Sequence, residues 1–279
     1  LNYLLKKDCI MFAIEYYIGL ILIGIVAGFA SGLLGVGGGF LIVPFQYFLL
    51  KYIGVEPDLA MLISLGTSLA IIIPTATSGA YKHSQKLDNI IEPGIKLGIF
   101  GIFGSLIGGF VASALPSRVL EIIFGCLLLF IAIRNLLSRD NQEKEAKFDF
   151  NFLTIMLTGL FVGFFSGLLG IGGGIFLIVI LTMLLGFSMI RAIGTSSVFI
   201  SLTAIGGTLS YIISGWGVDT FPFSIGYVSI VNLILIACFS VPLAQIGAKY
   251  AHKLPEKRLK QVFGVVVLYI ALKMLGVLP

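Results

Sequence analysis

Charged residues are scarce in this chain. Asp, Glu, Lys and Arg make up 11% of its 279 residues, whereas hydrophobic residues make up 58%, and the mean hydropathy is +1.10. Soluble domains carry about 25% charged residues. Water could not solvate the surface that this chain would present as a soluble globule, so lipid must cover much of it. The composition predicts an all-α polytopic integral membrane protein.

The residues needed for common enzyme and metal sites are also rare. The three cysteines, Cys9, Cys126 and Cys238, form no Cys-x-x-Cys pair and no Cys/His cluster, and the chain has two histidines. This pattern gives little support to a disulfide framework or to a metal site. We find no Ser/His/Asp or Cys/His arrangement for nucleophilic catalysis. We therefore expect no enzyme activity, no metal and no cofactor.

Glycine, in contrast, is abundant and organised. Residues 29–39 read FASGLLGVGGG and residues 164–174 read FFSGLLGIGGG, with nine of eleven positions identical. Gly66-Thr67-Ser68 is likewise repeated as Gly194-Thr195-Ser196. We interpret the chain as one transmembrane domain, 1–279, built by duplication. The expected parts are a first repeat at 11–137, a charged cytoplasmic linker at 138–150 and a second repeat at 151–279.

Apolar runs predict about four to five membrane helices in each repeat. The run at 14–34 is interpreted as a first membrane helix rather than a signal peptide. In each repeat the helix after the glycine break is too short to span a hydrocarbon core of about 30 Å. A spanning half-helix and a re-entrant hairpin both remain open here. The predicted helices are 14–34, 40–52, 58–81, 93–115, 117–137, 151–170, 175–187, 188–214, 222–250 and 256–278.

The distribution of Lys and Arg predicts the orientation. With five elements per repeat, most basic residues fall on one side, among them Lys82, Lys86, Arg191 and Lys249. We assign that side to the cytoplasm, which places both termini outside. An odd number of elements also means that the second repeat enters from the opposite side, as in inverted-topology transporters. The net charge of +5 is explained by these loops, so we expect no nucleic-acid partner.

The glycine breaks are the candidate binding site. A helix that begins inside the membrane presents unsatisfied N–H groups and a partial positive charge at its N-terminus. Two such N-termini facing each other would bind an anion without Lys or Arg. Close helix packing is the alternative role for these glycines and hydroxyls. The candidate substrate-binding residues are Ser31, Gly37, Gly38, Gly39, Gln46, Thr67, Ser68, Ser166, Gly172, Gly173, Gly174, Thr195 and Ser196.

The motif SGLLGVGGGFLIVP, from Ser31 to Pro44, resembles the sulfite exporter TauE/SafE family of membrane proteins. The second copy, from Ser166, and the Gly-Thr-Ser segments fit as well, although Val179 stands where the first copy has Pro44. The resemblance covers essentially the whole chain. It implies an inner-membrane permease for small anions such as sulfite or an organosulfonate, and it implies export.

These observations lead to a hypothesis of a secondary transporter with alternating access. Its partners would be a small anion and the lipid bilayer, and a homodimer stays open. An anion channel on the same scaffold is one alternative. A non-transporting membrane assembly subunit, in which the glycines serve packing alone, is another.

Overall fold

The computed structural model describes residues 14–87, 89–137, 151–183, 185–218, 221–251 and 256–277. The predicted linker and the first ten residues lie outside the described residues. The helices are α1 (Ile14–Leu34), α2 (Gly39–Tyr52), α3 (Pro57–Ser84), α4 (Ile91–Ser113), α5 (Ser117–Leu137), α6 (Phe152–Leu169), α7 (Gly174–Met183), α8 (Met189–Ser214), α9 (Ile230–Ala251) and α10 (Glu256–Met274). A two-stranded antiparallel hairpin, β1 (Ser224–Ile225) and β2 (Val228–Ser229), precedes α9.

Within the described ranges, six helices are long and apolar enough to cross a membrane: α1, α3, α4, α6, α8 and α9. This confirms the prediction of an all-α polytopic membrane protein. The helices after the glycine breaks are short, as predicted, because α2 has 14 residues and α7 has 10. At about 1.5 Å per residue they reach only part of the way through a bilayer.

Several helix boundaries differ from the prediction, most of all the start of α9. The predicted helix 222–250 begins only at Ile230, because Phe223 and Gly226 adopt positive φ angles of 54° and 58° that a helix does not allow. The backbone here forms the β1–β2 hairpin instead, and Tyr227 N–H donates to the Tyr211 carbonyl of α8. Helix α7 ends at Met183, short of the predicted residue 187, and Gly186 lies beyond it with φ 66°.

The first helix of each predicted repeat packs against the fourth helix of the other. Helix α1 contacts α9 so closely that a methyl group on Gly24 would lie 2.8 Å from the Ile236 carbonyl oxygen. Helix α6 contacts α4 in the same way, since a methyl on Gly159 would lie 2.5 Å from the Leu97 carbonyl oxygen. Small residues that allow such backbone approach are typical of membrane helix interfaces.

The contacts along these pairs give the helix directions. Gly24 and Gly32 of α1 face Ile236 and Ala244 of α9 in the same order, so α1 and α9 are parallel. The same reasoning makes α3 parallel to α9, α4 parallel to both α6 and α8, and α3 antiparallel to α8. For α3 and α9 the contacts are Thr67–Ser229, just before α9, and Thr75–Ser240. For α4 they are Leu97–Gly159 and Ser105–Gly167 with α6, and Gly94–Val198 and Gly98–Leu202 with α8. For α3 and α8 they are Gly66–Tyr211 and Leu69–Gly207.

Helices α1, α3 and α9 therefore run in one direction, and α4, α6 and α8 run in the other. In the predicted repeat, each helix of the first group corresponds to a helix of the second, α1 to α6, α3 to α8 and α9 to α4. Opposite directions for matching helices are the relation that an inverted-topology repeat requires. The division at residues 137 and 151 stays a prediction.

Candidate functional site

Both glycine breaks are sharp turns that require glycine. Gly37 and Gly38 have φ angles of 81° and 74°, and Gly172 and Gly173 have angles of 85° and 76°. Side chains rarely adopt this left-handed conformation, because the Cβ atom crowds the backbone. The three-glycine runs therefore end one helix and start the next, as the sequence predicted.

Each break is the turn of an antiparallel helical hairpin. Helix α2 returns along α1, since a methyl on Gly38 would lie 2.8 Å from the Ala27 carbonyl oxygen and Gly19 faces Leu49. Helix α7 returns along α6, where Gly173 faces Val162 in the same way. Because α2 and α7 are too short to span, the contacts favour the re-entrant form of the two arrangements left open by the sequence.

The two breaks touch each other. A methyl group on Gly39 would lie 2.7 Å from the carbonyl oxygen of Gly170, and one on Gly174 would lie 2.9 Å from that of Gly35. All residues from Gly35 to Gly39 and from Gly170 to Gly174 are buried. Two helix N-termini, those of α2 and α7, thus begin side by side inside the protein.

Two reciprocal hydrogen bonds connect the breaks to the long helices. Ser68 of α3 donates from its hydroxyl to the Gly170 carbonyl at 2.8 Å, and Ser196 of α8 donates to the Gly35 carbonyl at 2.7 Å. Each long helix therefore holds the break of the other predicted repeat, through a residue in the first half of its own length. The hydroxyl protons of these two predicted site residues are engaged in that structural role.

The neighbouring threonines differ between the repeats. The Thr67 hydroxyl accepts a hydrogen bond from the Ser229 N–H of β2 at 2.9 Å. Its counterpart, Thr195, is fully buried, and its hydroxyl has no partner among the described residues. A buried hydroxyl without a partner costs free energy, so Thr195 can accept or donate to a ligand while Thr67 has its acceptor role occupied.

Two further predicted site residues carry unpartnered polar atoms. Ser166 is fully buried beside the second break, where its Cβ would lie 3.1 Å from a methyl on Gly173, and its hydroxyl contacts no donor or acceptor in the described part of the chain. Gln46 of α2 is also fully buried, and both atoms of its amide lack a described partner. Gln46 lies seven residues along α2 from Gly39, on the same helix face.

The predicted residues thus fall into groups by position. The six glycines, Ser31, Ser68, Ser166 and Ser196 lie at the two breaks, with Ser31 only 4% exposed and its Cβ 3.3 Å from a methyl placed on Gly38. The threonines adjoin the hydrogen-bonding serines in sequence, whereas Gln46 stands two turns of α2 away from the break.

Sequence reasoning missed two isoleucines. A methyl on Gly37 would lie 3.0 Å from Ile200 Cγ2 and 3.4 Å from Ile72 Cγ2, and a methyl on Gly172 would lie 2.5 Å and 3.4 Å from the same atoms. Both side chains therefore face both breaks. Their sequence signal was the Gly-Thr-Ser repeat itself, because Ile72 and Ile200 each stand four residues after its serine.

The electrostatics of the site come from the backbone. Among the described residues, no Lys, Arg, Asp or Glu is fully buried. The first N–H groups of α2 and α7 have no intrahelical acceptor and carry the positive end of the helix dipole. Such a site suits an anion.

A second cluster, also missed from the sequence, lies where α2 meets α5. The Tyr47 hydroxyl donates to Glu121, which also pairs with Arg118 at 2.9 Å. Tyr47 is almost fully buried. These contacts hold the end of α2 remote from the break to the surrounding bundle.

Comparison with known proteins gives consistent results. The family model of the sulfite exporter TauE/SafE matches residues 20–274. The chain is 35% identical over 262 residues to a "Probable membrane transporter protein" of Haemophilus influenzae, with 91% of this chain and 96% of that protein covered. It is 33% identical to the "Probable membrane transporter protein MJ0441" of Methanocaldococcus jannaschii, with 91% and 94% covered. No solved structure matches the chain significantly.

Proposed function

The chain belongs to the sulfite exporter TauE/SafE family, and we propose that it is a secondary transporter of a small anion such as sulfite or an organosulfonate. Its relatives bear the name of probable membrane transporters, and six apolar helices make it a multi-pass membrane protein. A transporter rather than an enzyme is the role that these similarities favour.

The observation that carries the proposal is the contact between the two breaks. Gly39 and Gly174 place the N-termini of α2 and α7 against the opposite break. A methyl group added to Gly39 would lie 2.7 Å from the Gly170 carbonyl oxygen, and one added to Gly174 would lie 2.9 Å from the Gly35 carbonyl oxygen. An anion between them would accept hydrogen bonds from backbone N–H groups of both helices. The unpartnered hydroxyl of Ser166 supplies a further donor. Discontinuous helices with this function are known in several transporter folds.

The helix directions support alternating access. The α1–α2 hairpin and the α6–α7 hairpin extend towards the centre from opposite ends of the bundle, because α1 and α6 run in opposite directions. Motion of one hairpin relative to the other would open the anion site to one side and then to the other. In this proposal the two units form an inverted repeat.

The charge distribution supports an orientation in the inner membrane. Lys82 at the end of α3, Arg191 at the start of α8 and Lys249 at the end of α9 share one end of the bundle, which we assign to the cytoplasm. Both termini then face outward. The membrane potential, negative inside, would favour anion export by about 2.3 kcal/mol per charge per 100 mV.

The test is flux through proteoliposomes that contain the purified chain, with sulfite, thiosulfate, sulfoacetate and sulfate, with and without an imposed potential. We expect saturable, potential-sensitive flux of at least one anion, with counterflow, which separates a carrier from a channel. Gly173→Val should abolish that flux in folded protein. Absence of flux for every anion, from protein shown to be folded, would contradict the proposal and favour a non-transporting role.

A further inference from the structure

Resting on the proposed function, we infer that Ile72 and Ile200 form an apolar gate between the two glycine breaks that admits singly charged anions and rejects doubly charged ones. One isoleucine comes from each long helix, Ile72 from α3 and Ile200 from α8. Both are fully buried. The pair, called the isoleucine gate below, lies against both glycine breaks.

The position of the gate follows from four distances. A methyl group added to Gly37 would lie 3.0 Å from Ile200 Cγ2 and 3.4 Å from Ile72 Cγ2. A methyl group added to Gly172 would lie 2.5 Å and 3.4 Å from the same two atoms. The Ile72 Cδ1 atom would also lie 2.8 Å from a methyl on Gly39. An anion that approaches the breaks on this side would therefore displace these side chains or touch their methyl groups.

Contact with methyl groups discriminates by charge. Wherever the anion touches an isoleucine it has lost water and gained no hydrogen bond. The cost of desolvating an ion grows with the square of its charge, so a doubly charged anion loses about four times as much as a singly charged one of equal size.

The donors available at the breaks are few. The hydroxyl protons of Ser68 and Ser196 are engaged by backbone carbonyls. No Lys or Arg of the described residues is fully buried to neutralise a second charge. Helix N-termini supply only about half a unit of positive charge each. The site therefore balances one negative charge and leaves a second one uncompensated.

Truncation of the gate should relax this selectivity. Ile72→Ala or Ile200→Ala leaves space in which a dianion can keep part of its hydration shell. Ile72→Val and Ile200→Val remove a single methyl group and serve where the alanine variants fold poorly. Ile71→Ala is the matched control, because Ile71 is also a fully buried isoleucine of α3. It is not among the atoms nearest to a methyl group added to Gly37 or Gly172, whereas Ile72 and Ile200 are.

The experiment measures competition in proteoliposomes that contain the full chain. Saturable flux of sulfite, measured in weakly acidic buffer where the singly charged hydrogensulfite dominates, is inhibited by methanesulfonate, which carries one charge, or by sulfate, which carries two. Faster saturable flux of a doubly charged anion of the panel than of hydrogensulfite would overturn the inferred gate. In the wild type, methanesulfonate should inhibit at a concentration about tenfold lower than sulfate. This ratio should fall towards one in Ile72→Ala and Ile200→Ala, fall partway in the valine variants, and stay at the wild-type value in Ile71→Ala.

The outcomes are distinct. Equal inhibition by both probes in the wild type would overturn the inferred gate, as would an unchanged ratio in the gate variants or an equal change in Ile71→Ala. In all of these cases the flux itself, and with it the proposed function, would stand. Absence of any saturable flux in folded wild-type protein would overturn the proposed function and the gate together.

Discussion

Ser196 on the second long helix donates its hydroxyl proton to the carbonyl oxygen of Gly35 at 2.7 Å, across 161 residues of chain. The same bond occurs in reverse between Ser68 and Gly170. Each glycine break is thus held by a long helix of the opposite predicted repeat, and the second break also accepts a hydrogen bond from Thr203 of its own repeat at the Gly172 carbonyl, at 3.3 Å. Relative motion of a hairpin and the opposite long helix would stretch or break one of these bonds, so they contribute both to stability and to the energy of any such motion.

The first prediction concerns these two bonds. Ser68→Ala and Ser196→Ala each leave a buried carbonyl without its donor, which should lower the free energy of unfolding by about 0.5–2 kcal/mol. Thermal unfolding in detergent measures the effect. Ser201→Ala is the control, because the Ser201 hydroxyl bonds only within its own helix, to Val198. A shift no larger than that of the control would show that the cross-repeat bonds do not contribute to stability.

The second prediction concerns contact between the breaks. Gly39→Ala and Gly174→Ala would place a methyl group 2.7 Å and 2.9 Å from the opposite carbonyl oxygens, which is too close for carbon and oxygen. We expect each variant to push the breaks apart and to reduce anion flux by at least about tenfold.

Gly79→Ala is the matched control for that prediction. Gly79 lies inside α3, and an added methyl there meets nothing within 4 Å. Because alanine favours the helix by about 0.5–1 kcal/mol over glycine, this variant should be neutral or slightly stabilised, with normal flux. Normal flux in both Gly39→Ala and Gly174→Ala would count against a binding site between the breaks.

Much of the architecture could be predicted from the sequence, because the signals there are strong and local. Long apolar runs predicted the spanning helices, and three consecutive glycines predicted the two breaks, which the φ angles of Gly37 and Gly172 explain. The predicted short helix at 40–52 begins at Gly39 and ends at Tyr52. Each of these features depends on backbone preferences within a few residues.

Features that depend on contacts between distant segments could not be predicted. Residues 222–229 are apolar enough for a helix, yet they form a hairpin whose Ser229 N–H bonds to Thr67 in the other repeat. The inferred isoleucine gate could not be predicted for a related reason. The sequence does not show whether an isoleucine in an apolar helix faces lipid or a glycine break. Burial of Ile72 and Ile200 is a property of the fold.

The third prediction separates ligand binding from structure at the unpartnered hydroxyls. Ser166→Ala and Thr195→Val remove fully buried hydroxyls without a described partner, so stability should rise or stay constant, by about 0–1 kcal/mol. If these hydroxyls bind the anion, the KM for flux should rise by about tenfold at the same time. Thr208→Val is the control, since the Thr208 hydroxyl bonds to Ala204. Unchanged KM in both variants would remove these residues from the site.

The fourth prediction concerns the attachment of α2 to α5. Tyr47→Phe removes the hydroxyl that donates to Glu121, and Glu121 then keeps only its exposed partner Arg118. We expect a loss of about 1–3 kcal/mol in the free energy of unfolding, because the bond involves a charged acceptor. The relative inhibition by methanesulfonate and sulfate should stay constant, since Tyr47 is remote from the breaks. A changed ratio would show that the cluster contributes to anion recognition.

The fifth prediction tests the buried amide of Gln46. Leu181 occupies the matching position of the second repeat, 135 residues later, and it is fully buried as well. Gln46→Leu therefore introduces a side chain that the fold already accommodates at the equivalent place. Because the amide has no described partner, its replacement by an apolar group of similar size should stabilise the protein by about 1–3 kcal/mol. If the amide interacts with the anion on its way to or from the breaks, flux through Gln46→Leu should fall at least about tenfold despite the gain in stability. A stabilised variant with full flux would leave Gln46 without a role in transport.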